Sequence, residues 1–371
     1  MKILLIGEYS NVHATLADGL KQLGHHVTVV SNGDFWKNYP RDISLVRTPG
    51  KFGGIALMLK LLLILPRLKG YDVVQIINPM FIELKAERIL PIYKYLRKHN
   101  KKVFLCGFGM DWYWVHTCIQ EKPLRYSDFN IGEKLRTNKD AIKEQKEWIG
   151  TYKEYLNKYI ANDCDGIITG LYEYWICYVK SFPDKTTYIP FPINTTKTAT
   201  KFHKKGRKLK IFIGINVERN EYKGTDIMLK AAKEILKKYP DKIELTIVES
   251  VPYAQYEKML NNCDVILDQL YSYTPSMNSL LAMSKGLICI GGGEAENYSI
   301  INEKKLHPII NVQPNYTSVY NALESLIGYD NDKIQLLKEQ SIEYVNKHHN
   351  YIKVAKQYVN YYNSFNSNIT K

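Results

Sequence analysis

Several features that would place the protein in a class at once are missing from its sequence. The six cysteines form no CxxC pair and follow no metal-ligand spacing, which disfavours a zinc module and a disulfide scaffold. No GxGxxG fingerprint follows the first predicted strand, which disfavours a nicotinamide enzyme. The chain opens on a strand rather than on a charged and then an apolar segment, so we expect no signal peptide. These absences favour a cytosolic protein with reduced, buried thiols.

Long hydrophobic runs are also scarce. The most apolar segment, 55–65, contains Lys60 and is closed by Pro66, so it is too short to span a bilayer. The pattern predicts a helix over 52–68 with apolar residues on nearly all sides. A helix buried in the core is the simpler interpretation, and a helix that rests on a membrane surface is the alternative.

The charge is strongly of one sign. The chain has 51 Lys and Arg against 37 Asp and Glu, a formal net charge of +14. This excess favours an anionic partner, which could be a nucleic acid, a lipid headgroup or a phosphorylated substrate. The most basic segment, 197–210, contains no aromatic residue besides Phe202, so nucleic-acid binding is the least favoured of the three.

Strand and helix patterns alternate along the whole chain, which predicts an α/β protein with parallel sheets. With 371 residues we expect two Rossmann-like domains, 1–194 and 195–350, joined by the basic segment and enclosing a ligand cleft. A last helix, 351–364, is predicted to pack back on the first domain.

The segment 264–298 is the strongest site candidate in the second domain. An apolar strand and a polar loop lead into a helix that Ser276 is placed to cap, and a glycine-rich loop follows the next strand. Since a helix N-terminus attracts anions, we expect a nucleotide diphosphate to bind at Ser276, Asn278 and Ser279. The alternative is one more strand–helix–strand unit with only a packing role.

Two residues of the first domain are candidates for the acceptor side. His13 lies in the loop after the first strand, and Asp111 lies just past the predicted strand 103–106. A carboxylate at a strand end can orient or deprotonate an acceptor hydroxyl. A helix cap or a salt bridge is the alternative for Asp111. No metal-ligand cluster is visible, so we expect no metal.

Five segments, taken in order, resemble the retaining glycosyltransferases of the two-Rossmann (GT-B) type, closest to family 4. They are KILLIGEYSNVHATLADGLKQLGHHVTVVS, DVVQIINP, YIPFPIN, IFIGINVERNEYKGTDIMLKAA and SLLAMSKGLICIGGG. The resemblance implies transfer of a sugar, with retention, from a nucleotide-diphosphate sugar to a hydroxyl. It also implies that Arg219 and Lys223 hold the donor diphosphate without a metal or another cofactor, since fixed cations stabilise a leaving diphosphate.

The resemblance further suggests a role in bacterial surface polysaccharide synthesis. The acceptor would be a saccharide on a lipid diphosphate carrier, and the protein would be cytoplasmic or peripheral on the inner face of the cell membrane. The net charge and the 52–68 helix are compatible with contact with an anionic membrane.

The sequence departs from the family where the family carries two glutamates, one for the donor sugar and one for the ribose. The corresponding residues here are Tyr273 and Leu281. Asp268, Asn278, Glu294 and Glu296 are nearby polar candidates for donor binding. Two other hypotheses stay open: a catalytically silent GT-B subunit that partners another transferase, and a nucleotide-sugar 2-epimerase.

Overall fold

Two parallel sheets, one for each half of the chain, form the framework of the protein. The structure is a computed structural model that describes residues 1–195, 207–216, 220–249, 251 and 253–365. The strands are β1 Lys2–Ile6, β2 His26–Ser31, β3 Ile43–Ser44, β4 Val73–Ile76, β5 Lys102–Gly107, β6 Asn130–Ile131, β7 Lys134–Leu135, β8 Gly166–Thr169, β9 Thr186–Tyr188, β10 Leu209–Ile215, β11 Ile243–Glu249, β12 Val265–Leu267, β13 Ile288–Gly291 and β14 Ile310–Asn311.

The helices alternate with these strands. They are α1 Val12–Gln22, α2 Gly53–Ile64, α3 Ala86–His99, α4 Trp112–Gln120, α5 Lys139–Trp148, α6 Tyr152–Asp163, α7 Tyr172–Val179, α8 Asn220–Lys223, α9 Thr225–Lys238, α10 Tyr253–Leu260, α11 Met277–Ser284, α12 Ala295–Ile300, α13 Tyr316–Ile327, α14 Asn331–His348 and α15 Tyr351–Asn363. Single 3₁₀ turns lie at Phe35–Lys37 and Leu65–Arg67.

The first sheet has seven strands in the order β3-β2-β1-β4-β5-β8-β9, and the second has five in the order β11-β10-β12-β13-β14. Every neighbouring pair within both sheets is parallel. Apart from the exposed Lys2 at the start of β1, the central strands β1, β12 and β13 are buried and lack polar side chains, as expected for strands covered by helices on both faces. The predicted α/β class with parallel sheets is confirmed, and ligands of such sheets bind beyond the carboxyl ends of the strands.

The last helix, α15, packs against α1, one of the helices that pack on the first sheet. The Lys102 ammonium donates to the carbonyl oxygen of Tyr362 at 2.8 Å, which ties α15 to β5. Just before α15 the chain pairs with the end of the first domain: the Ile193 N–H donates to His349 O, and the Tyr351 N–H donates to Ile193 O. The two segments that pass between the domains therefore lie side by side.

Two predicted segments differ from the structure. The sequence pattern predicts one helix from residue 138 onward, but the structure breaks it into α5 and α6, because Gly150 between them adopts a left-handed conformation with φ of 70°. The basic segment 197–210 lies mostly outside the described residues, and only its end, from residue 207, enters β10.

Helix α2 is not the buried helix that the simpler interpretation predicted. Leu57, Leu61 and Ile64 pack into the first-domain core, whereas Phe52 and Leu63 at its other face are each 79% exposed. An apolar composition on all sides cannot distinguish these two faces, which is why the sequence pattern was ambiguous.

Within the part of the chain that the structure describes, none of the helices combines the length and the apolar composition needed to cross a bilayer. All six cysteines are buried and unpaired, as predicted.

The contact between α1 and α15 generates a prediction at Gly19. A Cβ at this position would lie 2.4 Å from Tyr351 O and 2.9 Å from the Ala355 Cβ. We expect Gly19→Ala to lower the free energy of unfolding by about 1–3 kcal/mol, the usual cost of overpacking. Helix propensity alone predicts the opposite, a gain of about 1 kcal/mol.

Urea unfolding of Gly19→Ala and of a control, Gly54→Ala in α2, would decide between the two effects. The nearest atom to a Cβ at Gly54 is 3.9 Å away, so the control should be neutral or stabilising. Equal stability of both variants would show that α15 does not depend on close approach at Gly19.

Candidate functional site

A cavity of about 480 Å³ lies between the two domains. Its walls come from α1, from the segments after β1, β2 and β9, and from α10 and α11. The polar and charged lining residues are Ser10, Asn11, Thr15, Asp18, Lys21, Lys37, Asn38, Tyr39, Arg41, Asp42, Asn194, Tyr253, Glu257, Asn278, Ser284 and Lys285. The volume falls within the range of about 300–1,000 Å³ that is typical of ligand sites. The carboxyl edges of both sheets therefore contribute to one concave site.

The cavity contains polar atoms that the protein does not satisfy. Among the described residues, the buried Asn11 Oδ1 and Arg41 Nε have no hydrogen-bond partner. Lys285, by contrast, is held by Glu257 at 2.9 Å, and Lys37 by Asp34 at 2.6 Å. Buried polar groups are nearly always paired, so an unpaired acceptor and an unpaired donor in one cavity indicate a place for a polar ligand.

Lys223, one of the two predicted diphosphate-binding cations, ends the short helix α8. Its carbonyl oxygen accepts from the Leu270 N–H at 2.9 Å, which holds it beside the loop after β12. The next residue, Gly224, has φ of 71°, and a Cβ there would lie 2.7 Å from that of Leu270. Only glycine fits this left-handed, crowded position. Arg219, the second predicted cation, lies outside the described residues.

The predicted anion site at the start of α11 is occupied by a side chain of the protein. The Ser276 hydroxyl donates to the Asp268 carboxylate at 2.9 Å, and Ser279 donates to the same carboxylate. Asp268 thus lies where the diphosphate was predicted, and Ser276 and Ser279 bind it. Asn278, on the exposed side of the helix, does line the cavity.

His13 is a buried structural residue, which contradicts its prediction as an acceptor-side catalyst. Its Nδ1 lies 2.8 Å from Gly7 O, and its Nε2 lies 2.9 Å from the Gln75 side-chain nitrogen. Gln75 Oε1 in turn accepts from the Tyr362 hydroxyl at 2.6 Å. Burial lowers the pKa of His13 to about 3, so the imidazole is neutral and joins β1, β4 and α15.

Asp111 caps α4, which was the alternative to its catalytic prediction. Its Oδ1 accepts from the Trp114 N–H at 2.9 Å, and its Oδ2 accepts from the Tyr178 hydroxyl at 2.8 Å. The side chain is fully buried, and burial raises its pKa to about 7, partly offset by these two hydrogen bonds. The catalytic role of Asp111 stays a prediction without a solvent-accessible oxygen to support it.

Glu294 and Glu296 do not line the cavity but bind Arg125 from the first domain. Arg125 contacts Glu294 at 2.8 Å and Glu296 at 2.5 Å. Glu294 also accepts from the hydroxyl of Tyr126 at 2.6 Å and from Gln313 at 2.9 Å. Burial opposes ionisation of Glu294, but these hydrogen bonds and Arg125 lower its pKa overall. The two carboxylates thus link the two domains, and in this structure they are not free to bind a ribose.

A second contact between the domains centres on Glu173, at the start of α7. Its Oε1 accepts from the N–H groups of Tyr273 and Thr274 and from the Ser272 hydroxyl, and its Oε2 accepts from the Thr274 hydroxyl. Glu173 is buried, and burial raises its pKa although the hydrogen bonds from Thr274 and Tyr273 lower it in part. A carboxylate of the first domain therefore holds the loop 272–274 of the second domain. This loop contains Tyr273, which is 1% exposed and stands where the resembled family carries its first glutamate.

The segment between α4 and α5 completes this interface. Arg136 lies 3.6 Å over the Tyr271 ring and donates to Glu221 O at 2.8 Å. The Tyr222 hydroxyl donates to Asp128 at 2.6 Å. The segment therefore packs against the second domain.

Sequence reasoning missed Glu173, Arg125 and Arg41. Glu173 stands in the first turn of a helix that follows a strand, a position where acidic residues are common for local reasons. Its partner loop is about 100 residues away in sequence, so no local pattern could identify the contact.

No group of three His, Cys, Asp or Glu side chains in the described ranges is arranged to hold a metal ion. Metal independence stays a prediction.

The Glu173 contact generates a prediction about stability. Glu173→Ala would leave the N–H groups of Tyr273 and Thr274 and the Thr274 hydroxyl without an acceptor, so we expect a loss of about 3 kcal/mol or more in the free energy of unfolding measured with urea. Glu173→Gln keeps Oε1 and should cost less than about 1 kcal/mol. Equal stability of the Ala and Gln variants would mean that the carboxylate does not hold the domains together.

The same fold is found in solved structures over nearly the full chain. With the sucrose-phosphate synthase of Thermosynechococcus elongatus the TM-score is 0.65 at 13% identity, covering 98% of each chain. With HepE of Anabaena, in complex with UDP and glucose, the TM-score is 0.61 at 11% identity, covering 98% of this chain and 100% of HepE. With a UDP-N-acetylglucosamine 2-epimerase it is 0.52 at 11% identity, covering 96% and 94%.

No protein-family model matches the chain, and no curated protein matches its sequence. At identities this low, structural likeness establishes the fold alone. Membership of family 4 stays a prediction, and the two-Rossmann GT-B architecture predicted from the sequence is confirmed.

Proposed function

We propose that the protein is a glycosyltransferase that moves a sugar from a nucleotide-diphosphate sugar to a hydroxyl acceptor. The observation that carries the proposal is the cavity of about 480 Å³ between the domains, which the segments after three strands of the first sheet line on one side and helices α10 and α11 line on the other. The fold is shared with HepE, whose structure contains UDP and glucose.

The nucleoside would lie in the cavity against the start of α10 and the exposed side of α11, where Tyr253, Asn278 and Leu281 are available. The diphosphate would extend toward Lys223, beside the loop after β12. Lys223 and the predicted Arg219 would stabilise the charge that develops on the leaving diphosphate, without a metal ion. Retention of configuration, inferred from the family resemblance, belongs to the same proposal.

The acceptor would be a saccharide hydroxyl in the synthesis of a bacterial surface polysaccharide. Contact with the inner face of an anionic membrane is supported by the net charge of +14 and by the exposed apolar face of α2. The protein would then be peripheral on that membrane.

A thermal-shift series with UDP, GDP, ADP and CMP tests the donor site. A nucleotide at about 100 times its dissociation constant stabilises the native state by about 2.7 kcal/mol, so one base should raise the melting temperature clearly above the others. Lys223→Ala should weaken that nucleotide about tenfold or more, because a charge-assisted contact contributes about 1.5–3 kcal/mol. Lys304→Ala, an exposed lysine of the same domain, is the control and should bind normally.

The opposite result, no shift with any nucleotide, would favour the silent GT-B subunit. That alternative is motivated by Tyr273 and Leu281 in place of the family's two glutamates. The 2-epimerase alternative is motivated by the shared fold. It predicts conversion of a nucleotide sugar without any acceptor, which a nuclear magnetic resonance time course would reveal.

Asp111→Asn separates a catalytic role from capping. Asparagine caps helices as well as aspartate, and its amide can donate to the Tyr178 oxygen. If Asp111 only caps α4, transfer activity should stay within about threefold of wild type, whereas loss of a general base costs about 10²–10⁴-fold in rate. A drop of that size in kcat would restore Asp111 to the mechanism.

The pH dependence of stability checks the same variant. Because the folded pKa of Asp111 is about 7, above its usual value of 3.8, the native state binds the proton more tightly than the unfolded chain. Its contribution to stability is complete below about pH 4 and is lost as the pH rises to about 7. Relative to wild type, Asp111→Asn should therefore gain stability across this interval and show a constant difference above it.

A further inference from the structure

One face of helix α6, on the first domain, carries a row of three tyrosines. Tyr152, Tyr155 and Tyr159 are three and four positions apart, so their side chains follow one another along the same face of the helix. The ring centroids of Tyr152 and Tyr155 are 5.2 Å apart, and those of Tyr155 and Tyr159 are 6.2 Å apart. The tyrosine row thus offers successive ring contacts at intervals comparable with the length of one sugar unit in a glycan chain.

The outer part of the tyrosine row faces the surface. Tyr152 and Tyr155 are 37% and 50% exposed. Tyr159, at the inner end, packs against the core and is held by an edge-to-face contact with Tyr93 at 6.1 Å and by the Lys94 ammonium at 5.1 Å from its ring centroid. One end of the row is therefore fixed, and two rings are accessible to a ligand.

A shallow depression of about 440 Å³ lies along the tyrosine row. It is lined by Tyr155, Lys158, Tyr159, Asn162 and Asp163. Each tyrosine ring ends in a hydroxyl, and Asn162 adds an exposed side-chain amide three positions after the last ring. The depression therefore places hydrogen-bonding groups beside the rings.

The charges of α6 balance one another and are paired. The helix contains two lysines, Lys153 and Lys158, and two acids, Glu154 and Asp163. Lys153 contacts Glu147 at 2.5 Å, and Lys158 contacts Glu154 at 2.6 Å. A nucleic acid or an anionic headgroup binds through cations that are free to neutralise its phosphates. The paired charges of α6 therefore favour an uncharged ligand.

The apolar surface on this face of α6 is aromatic rather than aliphatic. The aliphatic side chains of the helix, Leu156, Ile160 and Ala161, are all buried. A helix that lies in a bilayer interface needs large apolar side chains such as leucine on its outer face. Tyrosine combines an apolar ring with a polar hydroxyl. A hexopyranose likewise combines an apolar C–H face with hydroxyls at its edge, so the two match in chemistry.

A second pair of neighbouring tyrosines lacks this accessibility. Tyr316 and Tyr320 of α13 have ring centroids 5.8 Å apart. The Lys230 ammonium lies over the Tyr316 ring at 5.5 Å, and the Lys238 ammonium lies over the Tyr320 ring at 6.0 Å. Among the residues that the structure describes, no such cation covers the two exposed rings of the tyrosine row. The α13 pair is therefore a matched control for the rings of α6.

We propose that the tyrosine row of α6 is a second binding site, which takes a segment of a neutral hexopyranose chain. The depression along the row and the cavity between the domains share no lining residue. Tyr152 and Tyr155 would stack against successive sugar rings, and Asn162 would form a hydrogen bond with a sugar hydroxyl. A chain held there leaves the cleft unoccupied, so this binding requires neither a nucleotide nor the proposed transferase function.

Native affinity electrophoresis of the full-length protein tests the site without any nucleotide. The gels contain dextran, mannan or galactan, which are neutral hexose polymers, and a gel without polysaccharide is the reference. We expect at least one of the three polymers to retard wild type. The double variant Tyr152→Ala, Tyr155→Ala should bind that polymer about tenfold more weakly, the effect expected for two lost ring contacts.

Two matched variants complete the design. Tyr152→Phe, Tyr155→Phe keeps both rings and should retain most of the binding. Tyr316→Ala, Tyr320→Ala removes the same number of rings from α13 and should be retarded as strongly as wild type. The melting temperature of the Tyr152→Ala, Tyr155→Ala variant should equal that of wild type, since both side chains are exposed.

The proposal is overturned if none of the three polymers retards wild type, or if the Tyr152→Ala, Tyr155→Ala variant is retarded as strongly as wild type. Two further measurements test other occupants. If this variant loses binding of an oligothymidylate instead, the row stacks the bases of a single-stranded nucleic acid. If it loses self-association in analytical ultracentrifugation instead, the row contacts a second copy of the chain. Either result also overturns the proposal.

Discussion

The geometry of the cleft depends on one buried carboxylate that crosses between the domains. The two sheets share no strand, and the segments that join them are narrow, with Ile193 beside His349. The angle between the sheets must therefore be set by non-covalent contacts. An ionised group as deeply buried as Glu173 costs several kcal/mol unless donors surround it, and its donors all belong to the loop 272–274. Any opening of the cleft at this loop must break these bonds.

This contact explains why Tyr273, at the position where the resembled family carries a glutamate, has a structural role of its own. The Tyr273 ring lies 4.8 Å from that of Tyr126 and 4.9 Å from the Arg125 guanidinium, so it is part of the interface. Arg125 in turn holds Glu294 and Glu296. Glu294 and Glu296 thus join the domains, whereas Asp268 binds Ser276 and Ser279 within the second domain. Asn278 of α11 is among the polar residues that line the cavity.

Local patterns predicted most of the fold but little of the interface. Buried strands produce continuous apolar runs, and α11 begins directly after Ser276, as the sequence pattern predicts. Asn278 lies in the first turn of α11 and Lys223 ends α8, and their binding of the donor stays a prediction. The patterns failed for Glu173, whose role exists only through a partner loop 99 to 101 residues away. They failed for His13 because a loop histidine and a core histidine look alike in sequence.

The burial of acidic residues inside the protein affects the charge of its surface, and therefore the ligands that the surface can attract. The buried ionisable residues of the described chain include seven acids but only two lysines. The acids are Glu8, Asp34, Asp111, Glu173, Asp264, Glu294 and Glu303, and the lysines are Lys102 and Lys338. The fold uses its acids for caps, pairs and domain contacts inside the protein. The surface is consequently more basic than the net charge of +14 implies, by five charges if each buried group is ionised. Clefts in such a surface concentrate anions. The burial of acidic residues for structural reasons therefore leaves a surface that favours phosphate-bearing substrates.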